Sequence, residues 1–143
     1  MTVAALVTWI VTAGLGLFML LRWLRGGGLR GGDATTHFPP ARVFSHLGLA
    51  AGGLVLWILF LFLDRPWMAW TAFAALVLVA ILGGLLVRRW TADGRAAMRR
   101  DPAMEGLDLA EQHIPRGPVV LHGTFAVATA LLVLLTALGV GRG

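Results

Sequence analysis

The chain has no cysteine and no lysine, and charged residues fill only 13% of its 143 positions. Without cysteine there can be no disulfides, thiolate metal sites, covalently attached c-type haem or cysteine-held iron–sulfur clusters. The charge content is about half that of an ordinary soluble protein. With 58% hydrophobic residues and a mean hydropathy of +0.82, it argues against a water-soluble domain. Asp, Glu and Arg are also missing from the interiors of four apolar runs, at 3–21, 43–63, 67–87 and 119–140. Each run approaches the ~20 residues that cross a bilayer as a helix. The sequence therefore predicts an all-α membrane protein with four transmembrane helices, forming one domain over 1–143. The first run has no basic residue before Arg22, exceeds a typical signal-peptide core and lacks a small-x-small cleavage site, so it reads as a retained helix.

The twelve basic residues, all arginine, are unevenly placed. Ten lie in the two longer connections: Arg22, Arg25, Arg30, Arg42, Arg88, Arg89, Arg95, Arg99, Arg100 and Arg116. Only Arg65 and Arg142 fall on the other side. Such an asymmetry follows the positive-inside rule and predicts cytoplasmic long loops, outer N and C termini, and a place in the plasma membrane. It explains the net charge of +5 by topology and lipid headgroups, without nucleic acid.

The four histidines all fall within two stretches of one spacing, HFPPARVFSH from His37 to His46 and HIPRGPVVLH from His113 to His122. Both read H-[F/I]-P-x-x-x-V-x-x-H and both lead into an apolar run. The first and third runs end in LRW and RRW, and aligning Trp23 with Trp90 also aligns Gly16 with Gly83 and Arg22 with Arg89. The chain thus reads as a tandem duplication of a two-helix hairpin, about 1–63 and 67–143. The tryptophans are 67 residues apart and the histidines 76, through a nine-residue insertion in the second long loop. That loop is expected to hold one or two short surface helices, and the glycine-rich first loop to be irregular. Parallel repeats of this kind share an axis along the membrane normal, so His46 and His122 come to equal depth and can face each other.

A histidine inside a membrane segment is by default a functional-site hypothesis. The residues sharing a helical face with His46 include Ala50 and Gly53, and those with His122 include Ala126 and Thr129. Small residues there serve close helix packing or leave a slot for a flat ligand. Imidazole suits haem iron, zinc, copper and non-haem iron. A bis-histidine haem b needs two opposed imidazoles, which His46 and His122 offer. It also needs cations for its propionates, which Arg42 and Arg116, just ahead of the histidines, offer. His37 and His113 would then be outer-shell groups, ligands of a second site, or members of a four-histidine metal site with His46 and His122.

This placing of histidines on paired helices resembles the four-helix haem-binding cores of membrane b-type cytochromes, of the cytochrome b561 kind. The resemblance implies haem b, an electron-transfer or membrane-anchor role, and a redox partner protein or quinone. It departs from that plan in placing all four histidines towards one face, so it implies no electron path across the bilayer by this chain alone. Two other expectations stand beside it: a haem-free transition-metal protein, and a structural accessory subunit with solvated histidines. A second copy of the chain is a candidate partner beside the bilayer itself. Independent catalysis is not expected. Ser45 has no carboxylate partner, the glycine-rich loop lacks the lysine of a phosphate-binding loop, and no charged group stands at the midplane for ion-coupled transport.

Overall fold

The computed structural model describes residues 1–30 and 35–140. Four helices, α1 (Thr2–Arg25), α2 (Pro40–Leu63), α3 (Pro66–Met98) and α4 (Arg116–Ala137), build it. All four are long and apolar enough to cross a membrane. Gly31 to Ala34 of the glycine-rich loop, and Arg142, lie outside the described residues.

Proline sets where α2, α3 and α4 begin. Pro40 and Pro66 occupy the first turn, where a missing N–H costs no hydrogen bond, and Pro115 caps α4 in an extended conformation. Between α2 and α3 the chain reverses through Asp64, whose φ of 44° is left-handed, and Arg65. The third helix runs eleven residues past the predicted end at 87, because Thr91 to Met98 continue it rather than forming a separate surface helix. Only two short 3-10 turns, Pro102–Met104 and Ala110–His113, interrupt the rest of that connection.

The helices pack chiefly as α1 with α4 and α2 with α3, and α3 also meets α4. Two apolar clusters close the bundle. One lies near the α2–α3 turn and includes Ala5, Trp9, Trp57, Phe60, Ala72, Leu76 and Val133. The other lies at the end bearing both long connections and joins Trp23, Phe38, Ala110 and Ile114. Every helix carries exposed Val and Leu on its outward face, as contact with lipid requires.

Two contacts fall at positions that the sequence alignment pairs. Gly53 meets Ala75 at 3.3 Å from the position a Cβ would take, and Thr129 meets Thr8 at 3.0 Å between hydroxyls. Gly53 and Thr129 are 76 apart, Thr8 and Ala75 67 apart. Between the two clusters lies the layer that holds His46 and His122.

Candidate functional site

His46 and His122 are each the seventh residue of their helix. Their half-buried rings face one another with centroids 6.2 Å apart and planes at 46°. Each ring is tied to the neighbouring helix by one hydrogen bond. His46 Nδ1 donates to the carbonyl of Val79 at 3.0 Å, and His122 Nδ1 to that of Thr12 at 2.9 Å. A carbonyl only accepts, so Nδ1 carries the proton and the neutral ring keeps its lone pair on Nε2, the tautomer of a ligand.

Glycine makes these bonds feasible. In a helix the carbonyl of residue i points at residue i+4, and the residues four beyond Thr12 and Val79 are Gly16 and Gly83. A Cβ on Gly83 would stand 2.9 Å from Cε1 of His46, and one on Gly16 would stand 3.1 Å from Cε1 of His122. Both glycines thus uncover a backbone carbonyl and make room for the ring that binds it. Thr12 and Val79 sit near the middle of the apolar runs of α1 and α3. The rings consequently lie deeper than their place near the starts of α2 and α4 suggests.

The predicted walls divide. Ala50 and Ala126 are half-buried on the histidine faces. Gly53 instead receives the indole of Trp9, 3.1 Å from its notional Cβ. Buried Thr129 packs α4 on α1 through Thr8, and its hydroxyl also lies 2.8 Å from its own helix carbonyl at Phe125. Arg42 is half-buried four residues before His46, whereas exposed Arg116 heads α4, six residues before His122, with Nη2 3.9 Å from Sδ of Met98. The two arginines are therefore not equivalent.

The outer histidines also differ. His37 folds inward, its Nδ1 3.1 Å from Oδ1 of Asp93 on α3. Its backbone N–H donates to Oε1 of Glu111 at 2.6 Å. His113 turns outward, its side chain 45% exposed and its Nε2 3.5 Å from Oδ1 of Asp108. Around Glu111 the two loop ends interlock. Thr36 Oγ1 donates to Oε2 of Glu111 at 2.7 Å and accepts from the indole of Trp23 at 3.0 Å. Trp90 Nε1 donates to the Glu111 carbonyl at 3.0 Å. Trp23 and Trp90, which the sequence aligns with each other, both bind this network. His37, Asp93 and Glu111 offer donor atoms within 4.8 Å of one another. Among the described residues no carboxylate or third histidine joins His46 and His122 in such a group.

Sequence reasoning finds Glu111, like Asp108, without a counterpart in the other half and so assigns it to no site, and it does not single out Asp93. It aligned Gly16 with Gly83 without linking them to the histidines. The i, i+4 pairing of a central residue with glycine on α1 and α3 was the available signal. A comparison of the chain with protein-family models, curated proteins and solved structures finds no match.

Proposed function

We propose that His46 and His122 are the axial ligands of a haem b, and that the chain is a small membrane electron-transfer element or the membrane anchor of a redox partner. The observation that carries this reading is the opposed imidazole pair, each ring oriented through Nδ1 and seated on a glycine. A ring nitrogen lies roughly 1 Å from its centroid and bonds a metal at about 2 Å, so two imidazoles on opposite sides of one ion have centroids about 6 Å apart. The separation of 6.2 Å fits that arrangement.

The donor set favours haem over a bare ion. Two neutral imidazoles with no carboxylate beside them among the described residues would leave a divalent charge uncompensated in an apolar layer. A porphyrin brings four nitrogens and two negative charges of its own. When bound it supplies one-electron chemistry, and the protein's part is to hold and shield it. The Nδ1–carbonyl bonds fix ring direction and raise ligand basicity. Trp9 and Trp57 close the layer on the side of the α2–α3 turn, and Trp23 and Phe38 on the other. Half-buried Arg42 is the better-placed partner for a propionate. The arginine asymmetry supports cytoplasmic long loops, outer termini and a plasma-membrane location, so a partner protein or quinone would meet the site from lipid or from the loop end.

A visible spectrum of purified protein tests the proposal. One haem per chain with a strong Soret band is expected, with loss of that band in both His46→Ala and His122→Ala. Protein free of pigment, or a Soret band unchanged in both variants, overturns it. Elemental analysis separates haem from metal bound without porphyrin.

A further inference from the structure

We propose that His37, Asp93 and Glu111 form a binding site for a divalent transition-metal cation, separate from the His46–His122 pair. The three donors come from three segments: the first long connection, the last turns of α3 and the 3-10 turn ahead of α4. The bundle buries two carboxylates here. Asp93 is 5% exposed and Glu111 fully buried. Buried carboxylates are stable only when paired, hydrogen-bonded or bound to a cation.

Glu111 meets that requirement by accepting from the His37 N–H and the Thr36 hydroxyl. Asp93 does not. Its Oδ2 and His37 Nδ1 are both buried, and among the described residues neither makes a hydrogen bond. Their ion-pair contacts among the described residues run from His37 Nδ1 to Asp93 Oδ1 at 3.1 Å and from Arg89 Nε to Asp93 Oδ2 at 3.3 Å. Arg89 is an imperfect counterion. It carries one charge against two, and its side chain is 47% exposed and can turn into water. A divalent ion would balance both carboxylates and give each unsatisfied atom a bond.

One imidazole with two carboxylate oxygens suits a borderline ion, zinc first, with manganese or ferrous iron as alternatives of the same chemistry. The donors lie within 4.8 Å of one another. They would have to draw together by roughly 1 Å to meet an ion at bonds of about 2.0–2.2 Å. The hydrogen bonds that already fix Glu111 are the kind of support that orients a ligating carboxylate. Bound metal would tie the first long connection to the second across the end of α3, and the proposal does not depend on haem.

The test uses full-length protein in detergent, without an affinity tag, stripped with chelator and titrated with Zn²⁺ and then Co²⁺. One Zn²⁺ per chain is expected, with a thermal shift upward, visible Co²⁺ bands, and altered tryptophan fluorescence through the indoles of Trp23 and Trp90. Asp93→Asn and His37→Ala should each weaken binding at least about tenfold. His46→Ala/His122→Ala should leave it unchanged while removing haem. No zinc bound by the wild type, or equal binding by Asp93→Asn, overturns the site. So does binding that is lost in the His46/His122 variant and kept in Asp93→Asn. Asp93→Asn that loses zinc but keeps its Soret band separates this site from the haem reading.

Discussion

His46 and His122 occupy matching environments: each is seventh in its helix, donates through Nδ1 to a mid-helix carbonyl and rests on a glycine. His37 and His113 match as well in the sequence, yet one is drawn into a buried carboxylate cluster and the other points to solvent. Inside the apolar layer a side chain is placed by helical periodicity and by the neighbour it packs on, and for His46 and His122 these neighbours correspond, Gly83 with Val79 and Gly16 with Thr12. In the connections the chain is placed by what the loops can reach. Of the nine extra residues between Trp90 and His113, six extend α3 and three lengthen the second connection, which delivers Glu111, while the first delivers Thr36 and His37 to meet it. The likeness of the two stretches thus holds for His46 and His122 in the helices and fails for His37 and His113 at the loop ends.

The largest effect in this comparison should come from breaking the loop-end network at its centre. Glu111→Ala strands the Thr36 hydroxyl and the His37 N–H, two buried donors that each cost roughly 1–3 kcal/mol without an acceptor. The bond from the Trp90 indole is kept, because its acceptor is the backbone carbonyl of residue 111. Thermal or denaturant unfolding in detergent should show the loss of stability. A change below about 1 kcal/mol would mean that water replaces the carboxylate and that the network is not a clamp.

A smaller effect should separate the two glycine seats. Gly83→Ala places a methyl 2.9 Å from the His46 ring, and Gly16→Ala places one 3.1 Å from His122. Overpacking costs about 1–3 kcal/mol, offset by roughly 1 kcal/mol of helix propensity gained over glycine. The tighter seat should suffer more, so Gly83→Ala is expected to lose more stability and more pigment than Gly16→Ala. Equal behaviour of the two variants would show that the rings adjust freely and that the small difference in clearance is immaterial.

The fold was legible because its strongest signals are local. Apolar runs, Pro39-Pro40, Asp64-Arg65-Pro66 and Pro115 mark spans and boundaries without reference to anything distant. The end of α3 was not legible. Beyond Trp90 the sequence TADGRAAM turns polar, which reads as a loop, yet it continues the helix to bring Asp93 against His37. Of the site, the facing of His46 and His122 followed from their matched positions. Their carbonyl partners did not, since a backbone acceptor leaves no mark in composition except the glycine that uncovers it. The His37–Asp93–Glu111 cluster was hidden for a different reason. Its members are up to 74 residues apart and come from segments that symmetry does not relate.

The smallest effect should fall on the outer histidines, where their inequality can be measured directly. His113→Ala removes a half-exposed ring and a 3.5 Å approach to Asp108, whose own side chain is 85% exposed. Such surface pairs contribute little, and surface substitutions usually stay within about 0.5 kcal/mol. His37→Ala takes a mostly buried ring from beside Asp93 and leaves that carboxylate with Arg89 alone. It should therefore destabilise measurably more than His113→Ala, by about 1 kcal/mol or more, since an unpaired buried polar group costs on that order. Two equal, negligible effects would place His37 with His113 among solvated loop residues, and the asymmetry of the loop ends would then have no energetic content.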